Sequence, residues 1–398
     1  MQMPRSSVQA GDYDRSFGQD GYAETPPFFG AWLPRNFAGL TLQDDNILIS
    51  ALALDERGGR HCGIIRLAPN GSQDMSFGID GVVAGRFNAN EHAQPEALIA
   101  LADGPIILLG LTADPARPFP QPHYLILEPN GQGPTPSFKL EAPDGAAAVI
   151  GSGRLTALGP HFMAALTFYG IPGQPTPNPR VYRLNLAGDP SFPDGSFIEI
   201  GLTPGELEIT GLIQLDTVFY LSGIRLQTGL PDESFIARYT VDGKLDPMFG
   251  NNGSIIVKVE NRSTHVKALI QRPDGHLIVV GSAQDDSVSQ AMVWQFTALG
   301  APDQNFNNGD PLLDSAARAW HSASLDPAGR LITFGTGARL EHKRYLMDGS
   351  TDPDYLPSAQ LIGIPDAMLT LNRGANTLFA YNATASIGLI GTVAAIQN

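Results

Sequence analysis

The chain has 398 residues, 42% of them hydrophobic and 16% charged, so it can bury a large core as two or three domains or as one repeat architecture. Its formal net charge is −15, and only five of its 25 cationic residues are lysines. No basic stripe is present that could neutralise phosphate groups, so nucleic acid and anionic membrane surfaces are not expected partners.

The sequence also limits the cellular setting. No apolar run approaches the roughly 18 residues that a membrane helix needs, and the first residues lack the apolar stretch of a secretory signal. Cys62 is the only cysteine, which excludes an internal disulfide and a cysteine-based zinc site. We expect no membrane insertion, and a protein that is either cytoplasmic or exported without a cleaved leader.

A short motif recurs along the whole chain. It reads GDYDRSFGQDGY at 11–22, NGSQDMSFGIDGVV at 70–83 and VDGKLDPMFGNNGSII at 241–256. We call this motif the anchor. Its aromatic residue falls at Phe17, Phe77, Phe138, Phe192, Phe249, Phe306 and, in degenerate form, Tyr355, with spacings of 60, 61, 54, 57, 57 and 49 residues. Seven repeats therefore cover residues 1–398 as a single domain.

Each repeat has the pattern of four short strands, which we call A, B, C and D. The A and B strands are clearest in HVKALIQRPDGHLIVVG at 265–281, the C strand in SFIARYTVDG at 234–243, and the D strand follows the anchor. The runs are short, alternating or β-branched, and separated by Asp-Gly, Asn-Gly and Pro-rich turns. A small sheet of this kind cannot bury both faces alone, so the sequence predicts an all-β, seven-bladed propeller of four-stranded antiparallel blades.

The chain termini predict how this propeller closes. The N-terminal residues carry an anchor and a D strand, whereas the last residues supply a B and a C strand with no anchor after them. Pairing the N-terminal D strand with the C-terminal strands would remove exposed sheet edges. The alternative is an open solenoid, which usually carries polar capping repeats, and none is evident.

The repeats resemble a known module. LDPMFGNNG, the PDG turn followed by HLIVVG, and FIARYTVDGK are similar to the delta-60 repeat of bacterial proteins. The likeness is good in the repeats ending near residues 77, 249 and 306, weak near 138 and 192, and poor at 355. It implies a β-propeller in an often surface-associated or exported bacterial protein, and it implies no particular activity or set of catalytic residues.

The acidic and amide residues of the anchors allow two interpretations. Their oxygens could bind calcium, or the same residues could cap the turns while the aromatic ring fills the space between neighbouring sheets. The spacing matches no calcium loop and the acidic positions change between copies, which favours the structural role. The residues concerned are Asp14, Asp20, Asp74, Asp80, Asp246, Asn251 and Asn252.

Strand order predicts that the two faces of the disk differ. The A–B turns and the C–D anchors lie on one face, which we call the turn face, and the D–A and B–C connections lie on the other, which we call the loop face. The loop-face segments diverge most, at 25–36, 86–95, 111–122, 169–180 and 258–265. Such loops commonly carry binding residues. Phe28, Phe29 and Trp32 are candidates to stack a sugar or anchor a partner, with Trp320 beside His321, although filling the core between blades is an equal alternative.

Polar residues at the starts of the A strands predict a mixed-charge funnel around the axis. It could hold a small polar ligand, or a metal if His265 and His321 converge; the alternative is a water-filled channel without chemical function. The candidate funnel residues are Arg35, Gln94, Glu96, Arg154, Glu208, His265, Lys267 and His321.

The sequence favours recognition over catalysis. It contains no GxSxG, HExxH, P-loop or GxGxxG motif, although a propeller enzyme can assemble its site from separate blades. We therefore expect a monomeric, non-catalytic module that binds a protein or a glycan on its loop face, with no cofactor and no bound metal. The alternatives are a hydrolase or lyase using His265, His321 and Glu96 in the funnel, and a purely structural unit.

Overall fold

The computed structural model describes residues 9–26, 34–102, 104–114, 117–133, 137–159, 161–170, 176–187, 196–202, 206–357, 361–385 and 388–398. Side chains are also left undescribed at 34, 35, 114, 117, 118, 364–368, 384, 385 and 388–390. The described chain is almost entirely β-structure, apart from one 3₁₀ turn at Asn307–Gly309. No helix in these ranges is long and apolar enough to cross a membrane.

The chain begins with β1 (Tyr22–Glu24), a strand that belongs to the last blade. Blade 1 consists of β2 (Pro34–Gln43), β3 (Asn46–Leu54), β4 (Arg60–Leu67) and β5 (Val82–Gly85). Blade 2 consists of β6 (His92–Ala100), β7 (Ile106–Asp114), β8 (Arg117–Leu127) and β9 (Phe138–Lys139). β8 begins inside the segment 111–122 that the sequence predicted as a loop.

The third blade is the irregular one. It consists of β11 (Arg154–Leu158), β12 (His161–Leu166), β14 (Arg180–Asn185) and β15 (Phe197–Glu199). A separate two-stranded sheet beside it joins β10 (Ala147–Ala148) to β13 (Phe168–Tyr169), which the repeat pattern did not predict.

The remaining blades return to the regular pattern. Blade 4 consists of β16 (Glu206–Leu215), β17 (Val218–Leu226), β18 (Glu233–Thr240) and β19 (Ser254–Val257). Blade 5 consists of β20 (Ser263–Gln271), β21 (Leu277–Gln284), β22 (Ser289–Phe296) and β23 (Leu312–Asp314). Within the described residues, blade 6 has three strands, β24 (Ala319–Leu325), β25 (Leu331–Thr336) and β26 (Leu340–Tyr345).

The last blade closes the ring as the sequence predicted. β27 (Gly363–Arg373), β28 (Asn376–Ala385) and β29 (Gly388–Gln397) form its A, B and C strands, and β1 is its D strand. β1 pairs antiparallel with β29 through Tyr22↔Ala394, Ala23↔Val393 and Glu24↔Thr392. The first A strand, β2, in turn contacts both β27 and β6, so the A strands follow one another around a closed axis. The seven-bladed, all-β propeller is confirmed.

Five of the anchors join their blade to the next. After the aromatic residue of each of these five, a backbone N–H donates to a carbonyl in the C–D connection of the following blade. The donor–acceptor pairs are Gly18–Asn70, Gly78–Asn130, Gly250–Leu299, Asn307–Asp348 and Leu356–Ala10, at 2.7–3.0 Å. Because the last pair links blade 6 to the N-terminal segment, the chain of contacts passes through the closing blade.

The aromatic ring of the anchor fills the gap above a glycine of the next blade. Phe77 and Phe249 are fully buried, and they lie against Gly131 and Gly300 respectively. A Cβ on residue 131 would lie 2.7 Å from the Phe77 ring, and its φ of +76° is one that other residues rarely adopt. The Asn-Gly and Asp-Gly dipeptides after the C strands therefore serve packing between blades as well as turn formation.

The anchor carboxylates are engaged by arginines of their own C strands. Asp74 accepts from Arg66 Nε at 2.8 Å and Asp246 from Arg238 Nε at 2.9 Å, and both guanidinium groups lie over the anchor ring. The second oxygen of each carboxylate accepts a backbone N–H two residues on. These contacts support the structural interpretation of the anchors. In the described ranges, no group of three or more His, Cys, Asp or Glu residues is placed to hold a metal.

Two of the seven predicted anchors are not confirmed. The one at Phe138 is wrong, and the one at Phe192 lies outside the described residues. Phe138 lies in the D strand β9, where it stacks on Tyr124 at 5.0 Å, and it is not the turn aromatic of its repeat. Phe197 occupies the corresponding place in β15 beside Tyr182, while Phe192 lies outside the described residues. Here side chains join the blades, since Arg180 and Tyr182 donate to the Glu141 carbonyl.

We expect Phe249→Ala to lower the free energy of unfolding by about 3 to 5 kcal/mol, because it leaves a cavity between blades 4 and 5. The neighbouring Met248→Ala is the control, since Met248 is 73% exposed and its loss should change stability by less than about 0.5 kcal/mol. Urea denaturation of both variants measures the difference. Equal midpoints for the two variants would show that the anchor ring does not join the blades.

Candidate functional site

A cavity of about 700 Å³ lies on the axis of the propeller. Residues from all seven A strands line it, from Asn36 in β2 to Leu369 in β27. Its polar residues fall in the first half of the A strands, which is the half next to the loop face. The volume is within the range typical of sites for small molecules.

β-Bulges place polar residues in the lining of this cavity. In five A strands the pairing with the B strand skips one residue, which leaves an extra residue facing the axis. β2 skips twice, at Asn36 and Ala38. The extra residues of the other four strands are Glu96 in β6, Thr210 in β16, Lys267 in β20 and His321 in β24.

A glycine in the B strand makes each of these four bulges possible. A Cβ on Gly281 would lie 2.0 Å from the His265 carbonyl oxygen, and one on Gly335 would lie 2.0 Å from that of Ala319. A Cβ on Gly110 would lie 2.5 Å from the Gln94 carbonyl oxygen, and one on Gly223 would lie 2.3 Å from that of Glu208. The small residue that ends each apolar B run in the sequence is therefore explained by the close approach of the bulged A strand.

Glu96 connects blade 2 to blade 3 at the edge of the cavity. Its side chain is buried, and its two carboxylate oxygens accept the N–H groups of Gly151 and Gly153 at 2.8–3.0 Å. Burial raises the pKa of this carboxyl to about 7, although the two N–H donors and the charge of Arg154 oppose the shift. A carboxyl with this pKa can hold or release a proton near neutral pH.

Arg154 continues the connection to blade 4. Its Nε donates to the Thr210 carbonyl at 2.8 Å, and its Nη1 donates to the carbonyls of Gly151 and Gly153 at 2.8 Å. The bulge leaves the Thr210 carbonyl available, because that residue is skipped in the ladder. Burial lowers the pKa of Arg154, while Glu96 and Glu208 act in the opposite direction. The guanidinium remains charged at neutral pH.

The other half of the cavity carries Lys267 and His321 on adjacent blades. Both side chains are half-buried and line the cavity. His321 Nε2 lies 3.3 Å from Thr336 Oγ1. Ser322 follows His321, and among the described residues its buried Oγ has no hydrogen-bond partner. Below the polar residues, the lining becomes apolar at Leu40, Leu98, Leu155, Leu212, Leu269 and Leu369.

The structure brings together five of the eight candidate funnel residues, and Glu208 is not among the described residues that line the cavity. Glu96, Arg154, Lys267 and His321 line one cavity, together with Gln94. His265 lies outside the cavity lining, because it precedes the bulge, and its Nε2 bonds Asp232 at 3.1 Å. It therefore does not converge with His321. Arg35 lies in β2, but its side chain is outside the described residues, as are Phe28, Phe29 and Trp32.

Two further features differ from the sequence interpretation. Trp320 is 1% exposed and packs edge-on against Tyr345 in the core between blades 5 and 6, so its core alternative is the correct one. Asn36, Thr210 and Ser322 line the cavity and were missed. The glycine 13 or 14 residues after each bulge was visible in the sequence, and it could have located Thr210 by its distance from Gly223.

We expect Gly281→Ala to lower the free energy of unfolding by at least about 1 to 3 kcal/mol. The added methyl group would meet a backbone oxygen and force the bulge at Lys267 to shift. Gly85→Ala is the matched control, since a Cβ there meets no atom within 4 Å. Chemical denaturation compares the two. If both substitutions leave the midpoint unchanged, the B-strand glycine does not hold the bulge.

We expect the ionisation of Glu96 to lower the free energy of unfolding as the pH rises from about 4.5 to about 7. The folded protein binds more protons than the unfolded chain in this window, so the stabilising contribution is complete below the unfolded pKa and lost as the pH passes the folded one. Denaturation across this range should show a steeper decline in the wild type than in Glu96→Gln. The exposed Glu260→Gln is the control; parallel profiles for the wild type and Glu96→Gln would contradict the raised pKa.

Comparison with known proteins supports the fold. A profile described as "Domain of unknown function (DUF5122) beta-propeller" matches residues 42–77, which run from the end of β2 to the anchor of blade 1. No curated protein matches the sequence. Among solved structures, a puromycin-hydrolysing peptidase from Mycobacterium tuberculosis is 14% identical with a TM-score of 0.54, over 99% of this chain and 57% of the peptidase chain.

A second solved structure, the polysaccharide lyase Uly1, is 10% identical with a TM-score of 0.50, over 99% of this chain and 98% of that chain. This chain spans little more than half of the peptidase. At such identities the likeness establishes the fold alone. The chain is a seven-bladed β-propeller, and one of its blades matches a β-propeller repeat family of unknown function.

Proposed function

We propose that this protein is a non-catalytic recognition module that binds a glycan on its loop face, with the axial cavity at the centre of the binding surface. The observation that carries the proposal is the ring of bulged A strands, which places Glu96, Thr210, Lys267 and His321 from four blades in the lining of one cavity. Concave sites with a few convergent polar groups are typical of small-ligand recognition.

Glycan binding suits this surface better than binding of a flat protein surface. The cavity has hydrogen-bond donors and acceptors, some of them charged, near its rim and leucines below. This arrangement matches the hydroxyls and the apolar ring faces of a sugar. A second concavity of about 400 Å³ lies on the loop face between blades 4 and 5, lined by residues such as Asn261, Gln284 and Asp286. A chain of sugar residues can extend from the axis across such a surface, whereas a globular partner would contact mainly its rim.

We propose that the D–A connection between blades 7 and 1, of which residues 27–33 lie outside the described structure, belongs to the same binding surface. It carries Phe28, Phe29 and Trp32, and it precedes β2, whose residues line the cavity. Aromatic rings of this kind stack on sugar faces. We also propose that the repeats are of the bacterial delta-60 type, on the strength of the recurring LDPMFGNNG and FIARYTVDGK patterns.

A hydrolase or lyase is the second candidate, and one observation favours it. Glu96 lines the cavity, and burial raises its pKa to about 7, a value suited to general acid or base catalysis. His321 lines the same cavity, whereas His265 lies outside its lining and bonds Asp232. A catalytic site would therefore use Glu96 and His321 without His265.

We expect a glycan-array screen to identify a ligand whose affinity falls at least tenfold when Phe28, Phe29 and Trp32 are replaced by alanine. The control is Met75→Ala/Ile79→Ala, because these residues are 59% and 64% exposed on the opposite, turn face. Both variants remove large apolar side chains from the surface, but only the first should weaken binding.

Mass spectrometry of the ligand after incubation distinguishes recognition from catalysis. An unchanged ligand supports a binding module, whereas cleavage that disappears in Glu96→Gln replaces the proposal with the enzyme alternative. Binding of a protein partner with a blank glycan array would also overturn the proposal.

A further inference from the structure

The charge of the axial cavity is opposite to that of the protein. The chain carries a net charge of −15, yet among the side chains that the structure describes, the ionisable residues of the cavity lining are Arg154, Lys267, His321 and Glu96. With Glu96 ionised and His321 neutral, the lining carries two positive charges and one negative charge. An acidic protein therefore presents a net positive cavity on its axis.

The one acidic group of the lining contributes little free negative charge. Both oxygens of Glu96 already accept backbone N–H groups, and its pKa of about 7 leaves the carboxyl partly protonated at neutral pH. Its bonds to Gly151 and Gly153 also direct the oxygens towards blade 3. A ligand entering the cavity consequently meets mainly the cations.

Lys267 is the cation best placed to meet a ligand. Its side chain is half-buried at the bulge, and among the residues that the structure describes its ammonium has no hydrogen-bond or ion-pair partner. Arg154 differs, because Nε and Nη1 are committed to carbonyls and only Nη2 is left for a ligand. A half-buried ammonium without a partner gains from an anion, since the surrounding protein screens the attraction less than water does.

The neutral residues of the lining indicate which uncharged groups a bound anion would carry. Asn36, Gln94 and Ser322 provide hydrogen-bonding groups, and in the part of the chain that the structure describes the buried Ser322 hydroxyl has no partner. A buried hydroxyl in this state gains from any ligand that supplies a donor or acceptor. The leucines below the polar ring exclude water from the base of the cavity and strengthen electrostatic contacts above it.

We propose that the cavity selects a carboxylated saccharide, whose carboxylate lies against Lys267 and Arg154 while its hydroxyls bond the neutral polar residues. Two cationic donors, the Lys267 ammonium and Arg154 Nη2, match the two oxygens of a carboxylate better than the three terminal oxygens of a phosphate monoester. The inference rests on the proposed glycan recognition and names the class of sugar.

The test compares D-glucuronate and D-galacturonate with D-glucose and D-galactose, using ligand-observed NMR titration of the full chain at low and high salt. We expect each sugar acid to bind at least tenfold more tightly than its neutral counterpart at low salt, with the difference shrinking as salt rises. Lys267→Met should abolish the preference and Lys267→Arg should retain part of it, which excludes simple misfolding as the cause.

Lys244→Met is the matched control, because this exposed lysine lies in the C–D turn of blade 4 on the opposite face. It should leave the preference for the sugar acids unchanged. Equal binding of acidic and neutral sugars would sink the carboxylate inference and leave glycan recognition standing. Stronger competition by inorganic phosphate than by acetate would also overturn it.

A different result would refute glycan recognition itself and not only the preference for a carboxylate. If acetate and both sugar acids bind with equal affinity in a Lys267-dependent way, and the glycan array is blank, then the cavity is an anion site and glycan recognition fails. Binding of the sugar acids that is unaffected by Lys267→Met would place the carboxylate elsewhere and refute the assignment.

Discussion

The contact on which the rest of the structure depends is the one between an anchor and the next blade. A four-stranded blade has two apolar faces, and it becomes stable only when both are covered. The anchor provides a buried aromatic ring, a backbone N–H donated to the neighbouring turn and a carboxylate paired with an arginine, all within a few residues. Repetition of this contact aligns the blades at fixed angles around one axis.

The closed ring has a geometric consequence for the A strands. They are crowded around the axis, and a regular strand there would direct its side chains only towards the two neighbouring blades. The bulges at Glu96, Thr210, Lys267 and His321 insert one residue into this alternation and direct it to the centre. The fold thereby converts a structural irregularity into a ring of positions that line the axial cavity.

The two kinds of polar residue around the cavity have different roles. Glu96 and Arg154 are tied to the backbone of neighbouring blades, and they stabilise the region where the anchors are weakest. Lys267 and His321 lie across the cavity in the part of the ring with regular anchors, where the blades need no such help. This division leaves the Lys267 ammonium of blade 5 for a ligand and gives the described lining its net positive charge.

The sequence by itself determined the repeat, the strand order within a blade, the number of blades and the closure by the N-terminal strand. These features follow from local patterns, because alternating apolar runs and Gly-containing turns specify strands and hairpins whatever surrounds them. The irregular blade 3 was not determined in this way. There the turn signal is weak, and the packing of Phe138 and Phe197 against tyrosines of their own blades replaces the anchor.

Only the tertiary structure decided which polar residues meet. His265 and Lys267 are two residues apart in the sequence, yet one bonds Asp232 outside the cavity lining and the other lines the cavity. The bulge between them reverses the alternation of side chains, and it forms because Gly281 of the partner strand lets the backbone approach. A one-residue shift of register is invisible to the periodicity of a single strand, since it is fixed by contacts between two strands and by the closure of the ring.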